Sequence, residues 1–518
     1  MKTDSVGKKT ARNSVYSIVV NIWYLLSRFL LTPFVLGHLA LAEYGLWMLC
    51  FVVMSFLALT SFGLEGTYIK YVAEFYARKE FARINRLLST GLLVTVALSA
   101  TILLILWVLL PTFMEGMKIE PELRGKAAVV FMATGLVFAL DITLNCFGRA
   151  LDGLQRMDLT AKVRLFTSFV ELGLIVIFLL AGLGVYGMVA AFFIRYLLAM
   201  LLNMRFAYKL VPHLRISFRY FDMDSLKLLV TYGGKMQILG AIGIFMNTFD
   251  KLVITRILGL PFTGMYELGR KIPATGARIP TEISGAMMPA LSYLQGKNDF
   301  GRSRRLFLSA SRYMALASAP LFTYFFAVAP YAIYAWLGTG YEQASGVMYI
   351  LSAGLLVNLL TGAGSAASKG LARLDWELRY GVLNLVLCLV MTPVLALRFG
   401  LVGAAGGVAL STALASVYLI CVTNVYFEIS FSEYFRQVLQ PVLVSAFSAL
   451  VMFYLLPMMI SVGDTGRYVT VTILLAAGAL HLLLIGVLLV VTGGIVAFEK
   501  QWLAGNFLRI RRKLFSAQ

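Results

Sequence analysis

Long polar stretches are what this chain lacks. Only 14% of its 518 residues are charged and 60% are hydrophobic. Apolar runs of about 20 residues, the length that crosses a bilayer, follow one another almost without a gap. That shortage excludes a built-in ATPase or any other separately folded polar domain. It also leaves the longest predicted outer loop, 111–124, too short to house a catalytic site. Cysteine and histidine are scarce as well, at four and three residues. Cys50, Cys146, Cys388 and Cys421 fall inside apolar runs and read as small core residues. His38, His213 and His481 are scattered, so no metal site is expected. No Ser/His/Asp constellation or working carboxylate pair is recognisable. The chain is expected to need no cofactor and not to be an enzyme.

Acidic residues are the other deficit: 25 Asp and Glu stand against 45 Lys and Arg, a net charge of +20. A surplus of that size would suit nucleic acid, but its placement argues for orientation in a membrane instead. The runs define about fourteen spans, the first near 13–38 and the last near 468–493. With that count the bases crowd alternate loops, such as Lys70, Arg78, Lys79, Arg83 and Arg86 after span 2. The intervening loops keep few, among them Lys118, Arg124 and Lys126. This is the positive-inside pattern, and it places both termini in the cytoplasm. Contact with anionic membrane lipids absorbs the remaining positive charge, and no nucleic-acid partner is expected. The basic start precedes an apolar run too long for a cleavable signal, so it reads as an uncleaved first span.

The spans repeat. Gly153-Leu154-Gln155-Arg156-Met157-Asp158 returns as Gly370-Leu371-Ala372-Arg373-Leu374-Asp375. Leu36-Gly37 with Tyr44 returns as Leu258-Gly259 with Tyr266, and Gly184-Val185-Tyr186-Gly187 as Gly400-Leu401-Val402-Gly403. All three echoes are about 220 residues apart and in the same order, the mark of an internal repeat. Six spans per copy make the copies parallel, an arrangement found in transporters. The expected organisation is an all-α integral membrane protein with a six-helix lobe over 1–208, a basic amphipathic cytoplasmic linker over 209–227 and a second six-helix lobe over 228–426. Two additional helices occupy 427–493, and a basic amphipathic cytoplasmic tail occupies 494–518. Segments 66–86 and 292–306, where Phe81, Arg83 and Arg86 match Phe300, Arg302 and Arg305, are expected as amphipathic helices on the cytoplasmic face.

Charges inside the spans carry the functional signal, since each costs roughly 2.5–3.5 kcal/mol at the bilayer centre even on lenient scales. Arg28, Arg195, Lys235, Lys251, Arg270, Lys271 and Arg278 are the bases; Lys235 lies near enough to an end to snorkel. Counting about 100° per residue from Glu267, Lys271, Arg278 and Glu282 fall within about 60° on one side and Arg270 about 60° on the other. Pro273 and Pro280 interrupt the same helix. The stripe reads either as an internally paired face, Glu267 with Lys271 and Arg278 with Glu282, or as the lining of an anion-accepting cavity. Arg28, Arg195, Lys251, Arg270, Lys271 and Arg278 are the candidate substrate-binding residues. The acids Asp141, Glu171, Asp250, Glu267 and Glu282 are either structural or candidate sites for a coupling H⁺ or Na⁺. Gly362 to Gly370 lacks the Gly-Lys-Ser/Thr of a phosphate loop and reads as helix packing. Asp222-Met223-Asp224 has no catalytic domain around it.

The opening Ala11-Arg12-Asn13-Ser14, Gly37 with Glu43-Tyr44-Gly45, Phe62-Gly63-Leu64, the repeated Gly-Leu-x-Arg-x-Asp and the Gly-x-x-Gly helix starts together resemble the multidrug/oligosaccharidyl-lipid/polysaccharide exporter superfamily. Within it they look most like the polysaccharide-transport (Wzx-type) flippases. The resemblance spans essentially the whole chain. It implies a V of two lobes like those of MATE and MurJ-type proteins, with spans 1, 2, 7 and 8 lining a central cavity. It further implies transfer of an undecaprenyl-diphosphate-linked oligosaccharide to the outer leaflet of the bacterial inner membrane, alongside a glycan polymerase and export machinery. Lipid II flippases of the MurJ type carry bases on spans 1, 2 and 8; Arg28 fits the first and Arg270, Lys271 and Arg278 the last, while span 2 offers none. A drug or cation exporter of the same superfamily would want a net acidic cavity. A membrane glycan polymerase or ligase would want a sizeable outer loop.

Overall fold

The computed structural model describes residue 23 and residues 26–57, 64–211 and 214–494, with the side chains of 231–243, 246–247, 282–283, 285–286 and 289 left out. The motifs at Ala11–Ser14 and Phe62-Gly63 and the amphipathic tail therefore lie outside the described residues, as does the side chain of Lys235. Among the described residues the chain is helical throughout and multi-spanning, and it divides into two compact units, Met1–Met265 and Tyr266–Gln518.

The first unit holds α1 (Leu26–Leu36), α2 (Leu41–Leu57), α3 (Leu64–Ala77), α4 (Phe81–Gly116), α5 (Pro121–Leu144), α6 (Cys146–Gly153), α7 (Met157–Leu180), α8 (Gly184–Leu210) and α9 (Met223–Leu258). Helix α10 (Leu260–Gly276) crosses the boundary. The second unit continues with α11 (Arg278–Gly296), α12 (Phe300–Leu337), α13 (Glu342–Leu359), α14 (Gly362–Gly370), α15 (Leu374–Tyr426), α16 (Phe431–Tyr434), α17 (Gln440–Met459) and α18 (Arg467–Val491). The repeat is plain in the lengths: α2 and α10 each have 17 residues, α4 has 36 and α12 has 38. It is plain in the packing too. Helix α3 lies on α6 as α11 lies on α14, and α4 lies on α5 as α12 lies on α13. Packing draws the division later than the repeat does, because α9, which opens the second copy in sequence, packs on α2, α3 and α4.

Nine stretches among the described residues are long and apolar enough to cross a membrane, fewer than the fourteen spans read from hydropathy. Helix α15 accounts for part of the difference, since it joins two spans across Gly400, where φ is +61° and ψ is −139°. Helices α1 and α2 are short. The helix that Pro273 and Pro280 were expected to interrupt is divided at Ala277. Pro280 has no N–H to give the Gly276 carbonyl, so the hydrogen-bond ladder lapses there. The segments expected as surface helices are instead helix–turn–helix corners. Helix α3 ends and α4 begins around Lys79 (φ 62°), and α11 gives way to α12 around Asn298 (φ 52°). The matched Phe81/Arg83/Arg86 and Phe300/Arg302/Arg305 thus form the first turns of long helices. Cys50, Cys146 and Cys388 are buried as expected, but Cys421 is exposed, which corrects its reading as a core residue. A face turned to lipid is as apolar as a core, so hydropathy could not separate the two.

The strongest sequence echo has a local cause. Gln155 and Ala372 both adopt left-handed backbone, at φ 57° and 56°. In the first copy the Arg156 N–H donates to Leu151 O at 3.0 Å, and in the second the Arg373 N–H donates to Ser368 O at 2.8 Å. Gln155 and Ala372 bond back to Asp152 O and Lys369 O, completing the same six-to-one, five-to-two helix stop twice. The glycine that opens each motif marks a close crossing. A Cβ on Gly153 would sit 2.8 Å from Ile69 O on α3, and one on Gly370 would sit 2.9 Å from Met288 O on α11. The short helices α6 and α14 can therefore lie directly on their neighbours' backbones, closing the cores around Val72, Phe147 and Leu151 and around Leu291, Ala367 and Leu371. The third echo is a turn as well: Gly184 and Gly400 have φ of +54° and +61°.

The appended helices α17 and α18 dock on α12. His481 is 1% exposed, with Nε2 3.1 Å from Pro320 O and Nδ1 2.9 Å from Ser448 Oγ. Pro320's carbonyl can only accept, so Nε2 carries the proton and Nδ1 accepts from Ser448.

Gly153→Ala and Gly370→Ala are each expected to destabilise the protein by about 1–3 kcal/mol, the cost of overpacking against rigid backbone. Gly125→Ala, where a Cβ meets nothing within 4 Å, is expected to leave stability unchanged. Thermal unfolding of the three variants in detergent checks this; equal behaviour would refute the crossing argument.

Candidate functional site

The intramembrane charges fall into two sets, one per unit. In the first unit, Glu171 sits at the middle of α7 and is 2% exposed. Its carboxylate is shared: Arg28 Nη2, from α1, contacts Oε1, and Arg195 Nη1, from α8, lies 3.3 Å from Oε2. A second contact on α7 lies about one turn from Glu171. The Trp23 indole N–H donates to Ser168 Oγ at 3.0 Å, and its ring stacks on Phe169 with centroids 4.2 Å apart. The Arg195 guanidinium also lies over the Tyr196 ring at 4.8 Å. A buried carboxylate is tolerable only where charged groups replace its water; here Arg28 donates to it and Arg195 adds a second positive charge beside it.

Behind Arg195 a polar cavity of about 440 Å³ opens among α5, α6, α7 and α8, with Asp141, Asn145, Arg149, Asp152, Arg164 and Arg195 on its walls. Asp152 accepts from Thr160 Oγ1 at 2.7 Å and pairs with Arg149 at 3.5 Å. Arg149 in turn reaches Glu65 on α3 at 2.5 Å. Asp141 thus shares this cavity with Arg195. The other acid of this unit, Asp250, is 3% exposed near the end of α9; its Oδ1 accepts the Lys251 backbone N–H at 2.9 Å, so the two neighbours meet through the main chain.

In the second unit, Arg270 pairs with Glu267 at 3.4 Å within α10. Lys271 Nζ lies 5.8 Å from the centroid of the Trp336 ring, a cation–π placement. Arg278 is exposed at the start of α11, and the side chain of Glu282 lies outside the described residues. Of the two readings of this stripe, the internally paired one has a partner in Arg270, three residues from Glu267, while the Lys271 ammonium lies over an aromatic face.

Two cations that turn inward, one buried and one half-buried, stand out only in the structure. Arg312 is 3% exposed and donates to Gly494 O and, at 3.5 Å, Gln437 O, carbonyls beside α17 and α18. Arg304 donates to Phe427 O at 3.0 Å and pairs with Glu433. Their partners lie more than 120 residues away, and two of the three carbonyls belong to loop or cap residues, so no local pattern announces them.

Glu171→Gln removes the carboxylate both arginines use and is expected to cost about 3–5 kcal/mol, as for a broken buried ion pair. Arg28→Gln leaves Glu171 one-to-one with Arg195 and is expected to cost less. Thermal midpoints of the two purified variants check the order; a larger loss in Arg28→Gln would overturn it.

The comparisons with known proteins agree on a family. The polysaccharide biosynthesis protein family model matches residues 38–346. A Shigella flexneri protein named as an O-antigen transporter is 21% identical over 70% of this chain and 85% of its own length. A Haloferax volcanii protein named as a low-salt glycan biosynthesis flippase, Agl15, is 22% identical over 81% of this chain and 85% of its own length. Among solved structures, the lipid II flippase MurJ in an inward closed conformation superposes with a TM-score of 0.69 at 12% identity, covering 92% of this chain and 99% of that one. An inward-facing MATE family multidrug transporter superposes with a TM-score of 0.62 at 15% identity, covering 80% and 94%. At such identities the superpositions speak for the fold. With its intramembrane charges, its twofold repeat and a family match over more than half its length, the chain belongs to the polysaccharide biosynthesis protein family, within the multidrug/oligosaccharidyl-lipid/polysaccharide exporter superfamily that its motifs resemble.

Proposed function

We propose that this protein is a flippase carrying an undecaprenyl-diphosphate-linked oligosaccharide, a repeat unit of O-antigen, capsule or exopolysaccharide, from the inner to the outer leaflet of the bacterial inner membrane. Relatives bear the names of an O-antigen transporter and a glycan flippase. The observation that carries the reading is the gathering of cationic side chains within the spans. Among the described side chains, Arg28 and Arg195 meet at one carboxylate, Glu171, with Asp141 on the wall of the cavity that Arg195 lines. Arg270 pairs with Glu267, and Lys271 lies over the Trp336 ring. A diphosphate entering hydrocarbon loses its hydration, and guanidinium groups replace water best because they bind phosphate oxygens in pairs. The lipid tail stays in the bilayer while the head crosses.

The shared carboxylates give the cations a resting partner. In this scheme the diphosphate displaces Glu171 from Arg28, so empty carrier and loaded carrier differ by an exchange of anions. Without such an exchange partner the empty carrier would hold bare charge in hydrocarbon. Helix α10–α11 bends at the interruption beside Ala277 as the lobes alternate. A coupling H⁺ or Na⁺, taken up at Glu171, Asp141, Asp250, Glu267 or Glu282, or the membrane potential, biases the cycle. Both termini face the cytoplasm in this scheme, and a glycan polymerase with its export machinery takes the product at the outer face.

Arg28→Ala and Arg270→Ala are each expected to cut translocation at least tenfold while membrane abundance stays normal. The measurement is outward movement of a labelled lipid-diphosphate-linked oligosaccharide in vesicles reconstituted with the purified chain. Normal transport in both variants would sink the assignment of these bases. Ethidium efflux without lipid movement would sink the flippase reading itself.

A further inference from the structure

The segment between α8 and α9 is not a slack connection. It runs along the first turns of α4, which offer side-chain acceptors to its backbone. Arg215 N–H donates to Asn85 Oδ1 at 3.2 Å, Ser217 N–H to Ser89 Oγ at 3.3 Å, and Asp222 N–H to Thr90 Oγ1 at 3.0 Å. All three acceptor residues are buried. A short 3₁₀ turn, Phe218–Tyr220, follows the Ser217 cap, and Asp222 caps α9 by accepting from Ser225 N–H at 2.9 Å. The Ser225 hydrogen bonds and then the nearby Arg86 and Arg83 guanidinium groups hold the Asp222 carboxyl below its usual range. Those two arginines of α4 therefore belong to the same surface.

Fixed in this way, the segment turns its apolar side chains outward. Phe218 is 78% exposed, and Phe221 and Met223 are also exposed. Around them stand the exposed bases Arg86, Arg215 and Arg219. A cleft of about 580 Å³ lies among Tyr208, Arg215, Ser217, Arg219 and Tyr220. The fold does not demand this arrangement, because the second unit handles the same place differently. There the segment after α15 also runs along the first turns of the partner helix, α12. Its aromatic, Phe427, is fully buried and stacks on Phe307 with centroids 4.5 Å apart. The base, Arg304, stands where the first copy has Asn85 and turns inward onto the Phe427 and Glu428 carbonyls and Glu433. In the second copy Phe427 is hidden and Arg304 half-buried, and the phenylalanine displayed there is Phe431, at the start of α16.

A displayed phenylalanine ringed by arginines has a physical use at one kind of surface. The segment follows directly on α8, a helix long and apolar enough to cross a membrane that ends at Leu210, and leads into α9 at Met223, so it stays close to the level of the lipid headgroups. Aromatic rings favour that level, and each base near an anionic leaflet strengthens binding about fivefold. We infer that this cleft is a binding site for the phosphodiester headgroup of an anionic phospholipid, with Arg215 and Arg219 on the phosphate and Phe218 set into the acyl boundary. This goes beyond the flippase reading and does not rest on it.

The purified full chain, titrated with phosphatidylglycerol and with phosphatidylethanolamine and examined by native mass spectrometry, tests the site. The wild type is expected to retain phosphatidylglycerol at least tenfold more strongly, and the double variant Arg215→Gln/Arg219→Gln to lose most of that preference with an unchanged thermal midpoint. Arg302→Gln, at the matching corner of the second unit, is expected to keep it. Phe218→Trp, read as difference fluorescence in nanodiscs, is expected to be quenched by brominated phosphatidylglycerol. Equal retention of the two lipids, an unaltered double variant, a water-like tryptophan emission, or displacement of the lipid by millimolar inorganic pyrophosphate would each overturn the inference. The last would mark a plain anion site.

Discussion

A carboxylate held in hydrocarbon by two guanidinium groups is the interaction on which the first unit turns. Glu171 binds Arg28 of α1 and Arg195 of α8, so three helices meet at one buried acid. Remove the acid and two cations must find other partners; remove either cation and the acid still has one. That asymmetry makes the carboxylate the fixed point and the cations the exchangeable parts. It also explains why the cluster can be both rigid and responsive. The bundle is held by packing that differs little between core and lipid face, as the exposed Cys421 illustrates, so apolar contacts alone could not fix which helix face points inward. Charge can, because its misplacement costs several kcal/mol.

The sequence echoes were legible for a structural reason that differs from the one their resemblance suggests. Gly-Leu-x-Arg-x-Asp persists in both copies because Gly153 and Gly370 lie against backbone carbonyls, and because the third residue must turn left-handed to end the helix. Both demands are local, so both leave a local trace. The intramembrane charges were legible for the opposite reason: they are anomalous against their surroundings. What stayed hidden was long-range. Nothing near Arg312 or Arg304 in sequence shows that distant carbonyls draw them inward. Nothing near Glu267 decides between Arg270 and Lys271, since both are within reach on a helix. The corners at Lys79 and Asn298 were missed because an amphipathic, basic run satisfies a surface helix and a helix–turn–helix equally well.

The two copies keep the backbone and exchange the chemistry. The Schellman stop after α6 recurs after α14, yet the pair that brackets it changes character. Asp152 accepts from the Thr160 hydroxyl in the first copy; at the matching positions of the second, Lys369 pairs with Glu377 at 3.6 Å. Asn85 presents an amide to the backbone of the following segment, and Arg304 presents a guanidinium. A duplicated scaffold under packing constraint alone would have no reason to reverse the sign of a side chain while preserving the turn beneath it.

Those reversals are concentrated where the cavity, the corners and the connecting segment lie, and the conserved geometry is concentrated where helix backbones touch. The separation has a simple origin. Backbone crossings tolerate almost no change, because a single Cβ would collide with a carbonyl. Polar groups at a cavity wall or a headgroup surface answer to whatever occupies that space, so they change when the occupant does. In parallel copies the matching positions lie on the same side of the membrane, so unequal polar groups there answer to different neighbours in each copy, while the shared backbone answers to packing.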